Sequence, residues 1–203
     1  MNMSTEPKPP KRRYRLTTRA GAAAATRRRI LEAAIAVFWE QPLLNISLEV
    51  VAQRANVSLP TVIRHFGDRQ GLFAAAGEQE YERIRQQRGE APVDDIPVAV
   101  RVLVDHYEEL GDAVLRLLAE ESRVPGLRDI ADRGRSYHAT WCERVFAKAL
   151  ADLDGETYAR RLAELIGVTD VFMWKILRRD RGLSRSETER ALRELIEPLI
   201  GGR

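Results

Sequence analysis

From about Thr26 the apolar residues fall on a helical period: Ile30, Ala34 and Phe38 are spaced by four, Leu31 and Ile35 flank them, and Pro42 ends the stripe. A second helix is predicted from Ser47, an N-cap residue, with Leu48, Val51, Ala52 and Ala55 on one face. Ser58 can cap a third, short helix running to about Phe66, with Pro60 tolerated in its first turn. Gly67 stops that helix, and Asp68 can cap a fourth that continues through Leu72, Phe73 and Ala76 to about Gln87. Prolines and aspartates between Gly89 and Pro97 mark the best internal boundary. Four longer helical patterns follow. One carries Leu103, Tyr107, Leu110, Val114, Leu117 and Leu118 and ends at Pro125 and Gly126; the others cover 127–149, 156–179 and 184–200. Stretches that alternate like strands are few, so the predicted fold class is all-α.

Composition narrows this further. Of the 203 residues 44% are apolar and 31% charged, which excludes a disordered tail, and no apolar run approaches the length of a membrane span. One cysteine, Cys142, allows no internal disulfide, which suggests a reducing compartment or indifference to redox state; the expected setting is cytoplasmic. The net charge of +3 hides a segregation: residues 1–29 hold nine basic side chains against Glu6 alone, while the remainder of the chain is net acidic. A cationic end on a mildly anionic body suggests a polyanion bound at that end. With Pro7, Pro9 and Pro10 and no apolar period, 1–21 reads as a flexible basic arm.

The chemistry is concentrated around Asn56 and Val57. A helix-turn-helix requires a small residue for close helix packing, a turn position that accepts positive φ, a buried apolar plug and a short second helix with polar groups outward. Ala55, Asn56, Val57 and Ser58 supply these in order. The start of that second helix would face base edges in a major groove while its neighbours hold phosphates. Any corner between two packed helices shares the same caps and spacing; the basic arm just upstream is what favours DNA.

Three blocks of sequence, TRRRILEAAIAVF from Thr26, SLEVVAQRANVS from Ser47 and TVIRHFGDRQGLF from Thr61, resemble the N-terminal domain of tetracycline-repressor-type (TetR) transcriptional regulators. The resemblance implies a three-helix DNA-binding head over 22–77, with its third helix as reader, on a helical-bundle domain over 78–203 that dimerises and usually holds an effector pocket. By position, Ser47 would cap helix two and donate to a phosphate; Ser58, Leu59, Pro60, Thr61 and Arg64 would face the groove; His65 and Arg69 would hold the DNA backbone. The chain departs from the family at Ile63, where a tyrosine is common, at Leu59, often a lysine, at Asn56 in place of the turn glycine, and at Pro42 in place of a glycine. With fewer donors on helix three, the arm around Lys11, Arg12 and Arg13 is expected to contribute more, along phosphates or in the minor groove.

In the body, the stripes on 156–179 and 184–200 suggest an association surface, with Leu165, Phe172, Met173, Ile176, Leu192, Leu195, Ile196 and Leu199 on a four-helix interface between two copies. Either stripe would also serve as core within one copy. An effector pocket, placed by the resemblance, would draw its walls from Tyr107, Tyr137, His138, Trp141, Cys142 and Phe172. His138 and Cys142 share a helix face, but no second ligand cluster accompanies them, so no metal is expected. No cofactor and no catalytic residue are expected either: the chain holds three histidines and lacks a nucleophile elbow, a phosphate-binding glycine loop or an HExxH motif. The expectation is a homodimeric regulator, not an enzyme, that binds a palindromic operator in double-stranded DNA. A small-molecule effector of unknown identity would relieve it, and no membrane is involved. Its rivals are an activator or effector-independent DNA binder of the same fold, an architectural binder indifferent to sequence, and an enzyme with an accessory DNA head.

Overall fold

In the computed structural model, which describes residues 11–42 and 45–201 with side chains from Ala20 onward, every regular element is helical. The head comprises α1 (Lys11–Glu40), α2 (Leu48–Arg54) and α3 (Leu59–Phe66), and α4 (Arg69–Gly89) leads from it into the body. The body holds α5 (Ile96–Glu120), α6 (Leu127–Val145), the short α7 (Ala147–Leu150) and α8 (Gly155–Thr169). The short α9 (Val171–Trp174), a π-helical turn (Lys175–Asp180) and α10 (Arg185–Ile200) complete it. Caps sit where the sequence offers them. Asp68 accepts from the Gly71 N–H at 2.8 Å and Asp95 from Val98 at 3.1 Å, and Ser184 forms a reciprocal capping box with Glu187.

Two expectations are corrected. The arm predicted over 1–21 is helical from Lys11, so Lys11, Arg12 and Arg13 open α1; residues 1–10 lie outside the described residues. Apolar periodicity reports only where a helix is buried, whereas Ala22 to Ala25 and the flanking arginines are strong helix formers that extend α1 into solvent. The single helix predicted over 156–179 breaks at Asp170, whose backbone is extended (φ −72°, ψ 156°). Its carboxylate accepts from the Phe172 N–H at 2.9 Å and starts α9 afresh, while the Tyr107 hydroxyl donates to the freed Thr169 carbonyl at 2.9 Å.

Burial divides into two cores. The head core packs Ile30, Ala34 and Val37 of α1 against Val51, Val62, Leu72 and Phe73, and it extends into the body through Val124 and Leu127. The Arg116 guanidinium of α5 donates to the Trp39 carbonyl near the end of α1, closing the same seam. The body core is built on Leu103, Trp141, Phe146 and Trp174. It also contains Leu165, Leu192 and Ile196, which the sequence assigned to an interface between copies; each is buried within one protomer, where α8 and α10 pack on α6 and α5. What remains exposed of that expected surface is Phe172 (54%), Ile176 (45%) and Leu195 (42%), with Met173 and Leu199 half-buried.

Gly111 of α5 is required by a close approach. A Cβ there would lie 2.5 Å from the ring of fully buried Trp174, whose indole N–H is held by Glu108 at 3.0 Å. Gly111→Ala is therefore expected to destabilise the protein by about 1–2 kcal/mol in urea unfolding, since overpacking by ~1–3 kcal/mol outweighs the ~1 kcal/mol helix-propensity gain. A stabilised variant would show that the ring is free to move.

Candidate nucleic-acid interface and effector cavity

The head presents α3 through a tight α2–α3 turn. Ser47 caps α2, its hydroxyl accepting from the Val50 N–H at 3.3 Å. Asn56 takes the left-handed conformation (φ 52°) that the turn demands, and half-buried Val57 packs against the head core. Ser58 has the extended backbone of an N-cap, but its side chain does not cap α3; the hydroxyl pairs with that of Thr61 at 2.9 Å. Helix α3 anchors itself by Val62 on its inner side. On the outer side Ser58, Pro60 and Arg64 are exposed, and Leu59, Thr61 and His65 are half-buried.

Ile63 is 45% exposed on that same helix, and with Leu48, Leu59 and Arg69 it borders a shallow groove below the α2 cap. The Arg69 guanidinium lies over the Phe73 ring at 4.8 Å, which fixes a cation at the edge of the α3 face. Sequence reasoning missed Arg27. This exposed residue of α1 sits over the Phe66 ring at 5.0 Å, bringing the base of the cationic helix against the end of α3. Its only signal was membership of the charge run.

Behind the head, α1, α4, α5, α6 and the α8–α9 break enclose a cavity of about 430 Å³. The sequence-predicted Tyr107, Tyr137 and His138 line it. Trp141 and Cys142 do not: they are buried behind that wall, on the side of α6 that faces the body core. Phe172 does not either, because the restart at Asp170 leaves it on the outer surface. The structure adds residues that sequence reasoning passed over, among them Phe38, Trp39, Tyr81, His106 and Arg88.

Arg88, in the last turn of α4, is the unexpected group. It is 3% exposed, packed 4.4 Å from the Trp141 ring and 5.4 Å from that of Tyr137. One terminal nitrogen reaches Nδ1 of His138 at 2.8 Å, and the Nε–H is buried with no partner. An arginine can only donate, so Nδ1 accepts and the imidazole proton resides on Nε2, 3.2 Å from the Thr169 hydroxyl, which donates in turn to the Leu165 carbonyl at 2.6 Å. Among the described residues Arg88 forms no ion pair, and taking a charge out of water uncompensated costs on the order of several kcal/mol.

Burial and the Arg88 charge together hold the His138 imidazole down at about 3 and His106 well below its ordinary value. Burial pushes the Cys142 thiol up to about 11, so it is a packed, unreactive group at neutral pH. Among the described residues no cluster of three or more histidine, cysteine or acidic side chains could hold a metal ion, and no helix is long and apolar enough to cross a membrane.

Both histidines have folded-state values below 6.5, so the unfolded chain takes up the protons first and stability falls as pH drops from about 6.5 toward the folded values. Between pH 7 and 5.5 each is expected to cost the fold about 1 kcal/mol, read from urea midpoints. His138→Gln should remove roughly half of that loss. A pH-independent midpoint would mean that the imidazoles take up protons as readily in the folded protein as in the unfolded chain.

Residues 30–76 match the family model described as bacterial regulatory proteins, tetR family. A solved member of the TetR family from Streptomyces coelicolor A3 has a TM-score of 0.61 at 21% identity, over 84% of this chain and 97% of that one. NalD of Pseudomonas aeruginosa, the secondary repressor of the MexAB-OprM multidrug efflux pump, has a TM-score of 0.55 at 22% identity, over 89% and 97%. The multidrug binding protein EbrR, solved with imidazole, has a TM-score of 0.53 at 26% identity, over 83% and 88%. Among curated proteins none matches the chain.

Proposed function

We propose that this chain, a TetR-family transcriptional regulator by its 30–76 domain and its fold, is a homodimeric repressor of a palindromic operator, relieved by a small molecule bound in the body. The observation that carries the reading is the course of α4. Its capped start follows the reader helix directly, its inner face belongs to the head core, and its last turn forms a wall of the cavity. A molecule that enters the cavity must press on this helix, and α3 is carried with it. In a two-fold dimer that displacement changes the separation of two α3 helices that must meet half-sites about 34–36 Å apart. Operator and effector then oppose each other by equal factors. NalD is named as a repressor and EbrR as a multidrug binding protein, which supports both halves of the reading.

On DNA, Thr61, Arg64 and the apolar edge of Leu59 and Ile63 would read bases, while His65, Arg69 and Arg27 hold phosphates. Lys11, Arg12 and Arg13 stand at the positive end of the α1 dipole with no acid in the first turn, an arrangement that repels itself until an anion arrives. The dimer would form through the exposed strip of Phe172, Ile176 and Leu195, since the neighbouring apolar positions are already used inside the protomer.

Selection from random duplexes should yield a palindrome with both half-sites on one face of the helix. Arg64→Ala should lose about 1–3 kcal/mol and relax one position of it. Deleting residues 1–20 should weaken binding to all sequences alike and flatten its salt dependence. If selection returns no preferred site, or Arg64→Ala keeps the original preference, the reading fails. In light scattering, Leu195→Glu should convert a dimer to a monomer; an unchanged dimer would place the interface elsewhere.

A further inference from the structure

The cavity is chemically polarised along its length. Because α4 runs antiparallel to α5 and parallel to α6, its Arg88 end meets His106 and His138, whereas its Phe73 end meets Leu117 and Ile130. From Phe73 to Arg88 the helix rises roughly 20 Å. One end is therefore a long apolar and aromatic slot, and the other a buried guanidinium with an unpartnered N–H. The two carboxylates on the cavity wall are committed elsewhere: Glu80 pairs with Arg83 at 2.9 Å, and Asp170 caps α9. Both neighbouring imidazoles are held neutral and cannot balance the charge.

We propose that the effector is an amphipathic anion, a monocarboxylate whose head group pairs with Arg88 and whose apolar body fills the slot toward Ile130 and Phe38. This deepens the effector reading above and rests on it. The carboxylate takes the Arg88 N–H groups, supplies the missing counter-charge, and its tail wedges between α4 and α6 nearer the head. A neutral molecule of the same shape gains the tail contacts but leaves the guanidinium uncompensated. A cation is repelled.

Calorimetric titration of the full chain with sodium decanoate and with 1-decanol tests the proposal. Decanoate is expected to bind at least about tenfold more tightly than decanol. Arg88→Met should bring the two within about twofold while its ligand-free melting temperature does not fall, because the uncompensated charge is gone. Arg88→Lys should retain part of the preference, and together with the wild-type comparison it decides the matter if Arg88→Met does not fold. Equal affinity for acid and alcohol, no binding of either, or a carboxylate preference that survives in Arg88→Met overturns the proposal. The regulator reading is tested separately by operator selection on ligand-free protein, and decanoate binding stands or falls whether or not an operator is found.

Discussion

Helix α4 must satisfy two cores at once: Leu72, Phe73 and Ala76 complete the packing of the head, and Arg88, in its last turn, closes the cavity of the body. A helix is stiff along its hydrogen-bonded axis, so it cannot adjust to a change at one end without moving at the other. That shared rigidity is what the proposed coupling between the cavity of the body and the α3 face rests on. The seam is reinforced where Val124 and Leu127 enter the head core and Arg116 holds the Trp39 carbonyl.

Charge is used in opposite ways at the two ends of the molecule. The first turn of α1 carries Lys11, Arg12 and Arg13 with no acidic residue, and Arg27 and Arg28 further along the same helix are exposed to water. The ion pairs that tie α4 to its neighbours, Arg83–Glu109 and Arg133–Glu78, are also exposed and each contributes little. Arg88 differs from all of these because the fold has removed both the water and the counter-ion. A buried charge without a counter-ion works against stability, and it is this imbalance on which the proposed carboxylate effector rests.

Much of the head was legible. Ser47, Asn56, Val57 and Asp68 are local signals, decided within three or four residues by backbone geometry and capping, and each takes the predicted conformation. The body was legible as helices but not as an arrangement. Leu165, Leu192 and Ile196 have the same spacing whether they face their own protomer or a second one, so the stripe alone could not say that they are core. Phe172 was misplaced for a related reason: one aspartate, free to cap, interrupts a period that otherwise runs on.

By itself the chain's order of apolar, capping and turn residues determined the all-helical class, the helix-turn-helix and the cationic end, since each depends on neighbours along the backbone. Only the tertiary structure decided which aromatic residues line the cavity, which apolar stripe is spent inside the protomer, and that Arg88 is buried. In sequence Arg88 sits in a polar run indistinguishable from a solvated helix face. Its burial follows from where α6 lays Tyr137, His138 and Trp141 around it, some fifty residues away, and no local pattern encodes that meeting.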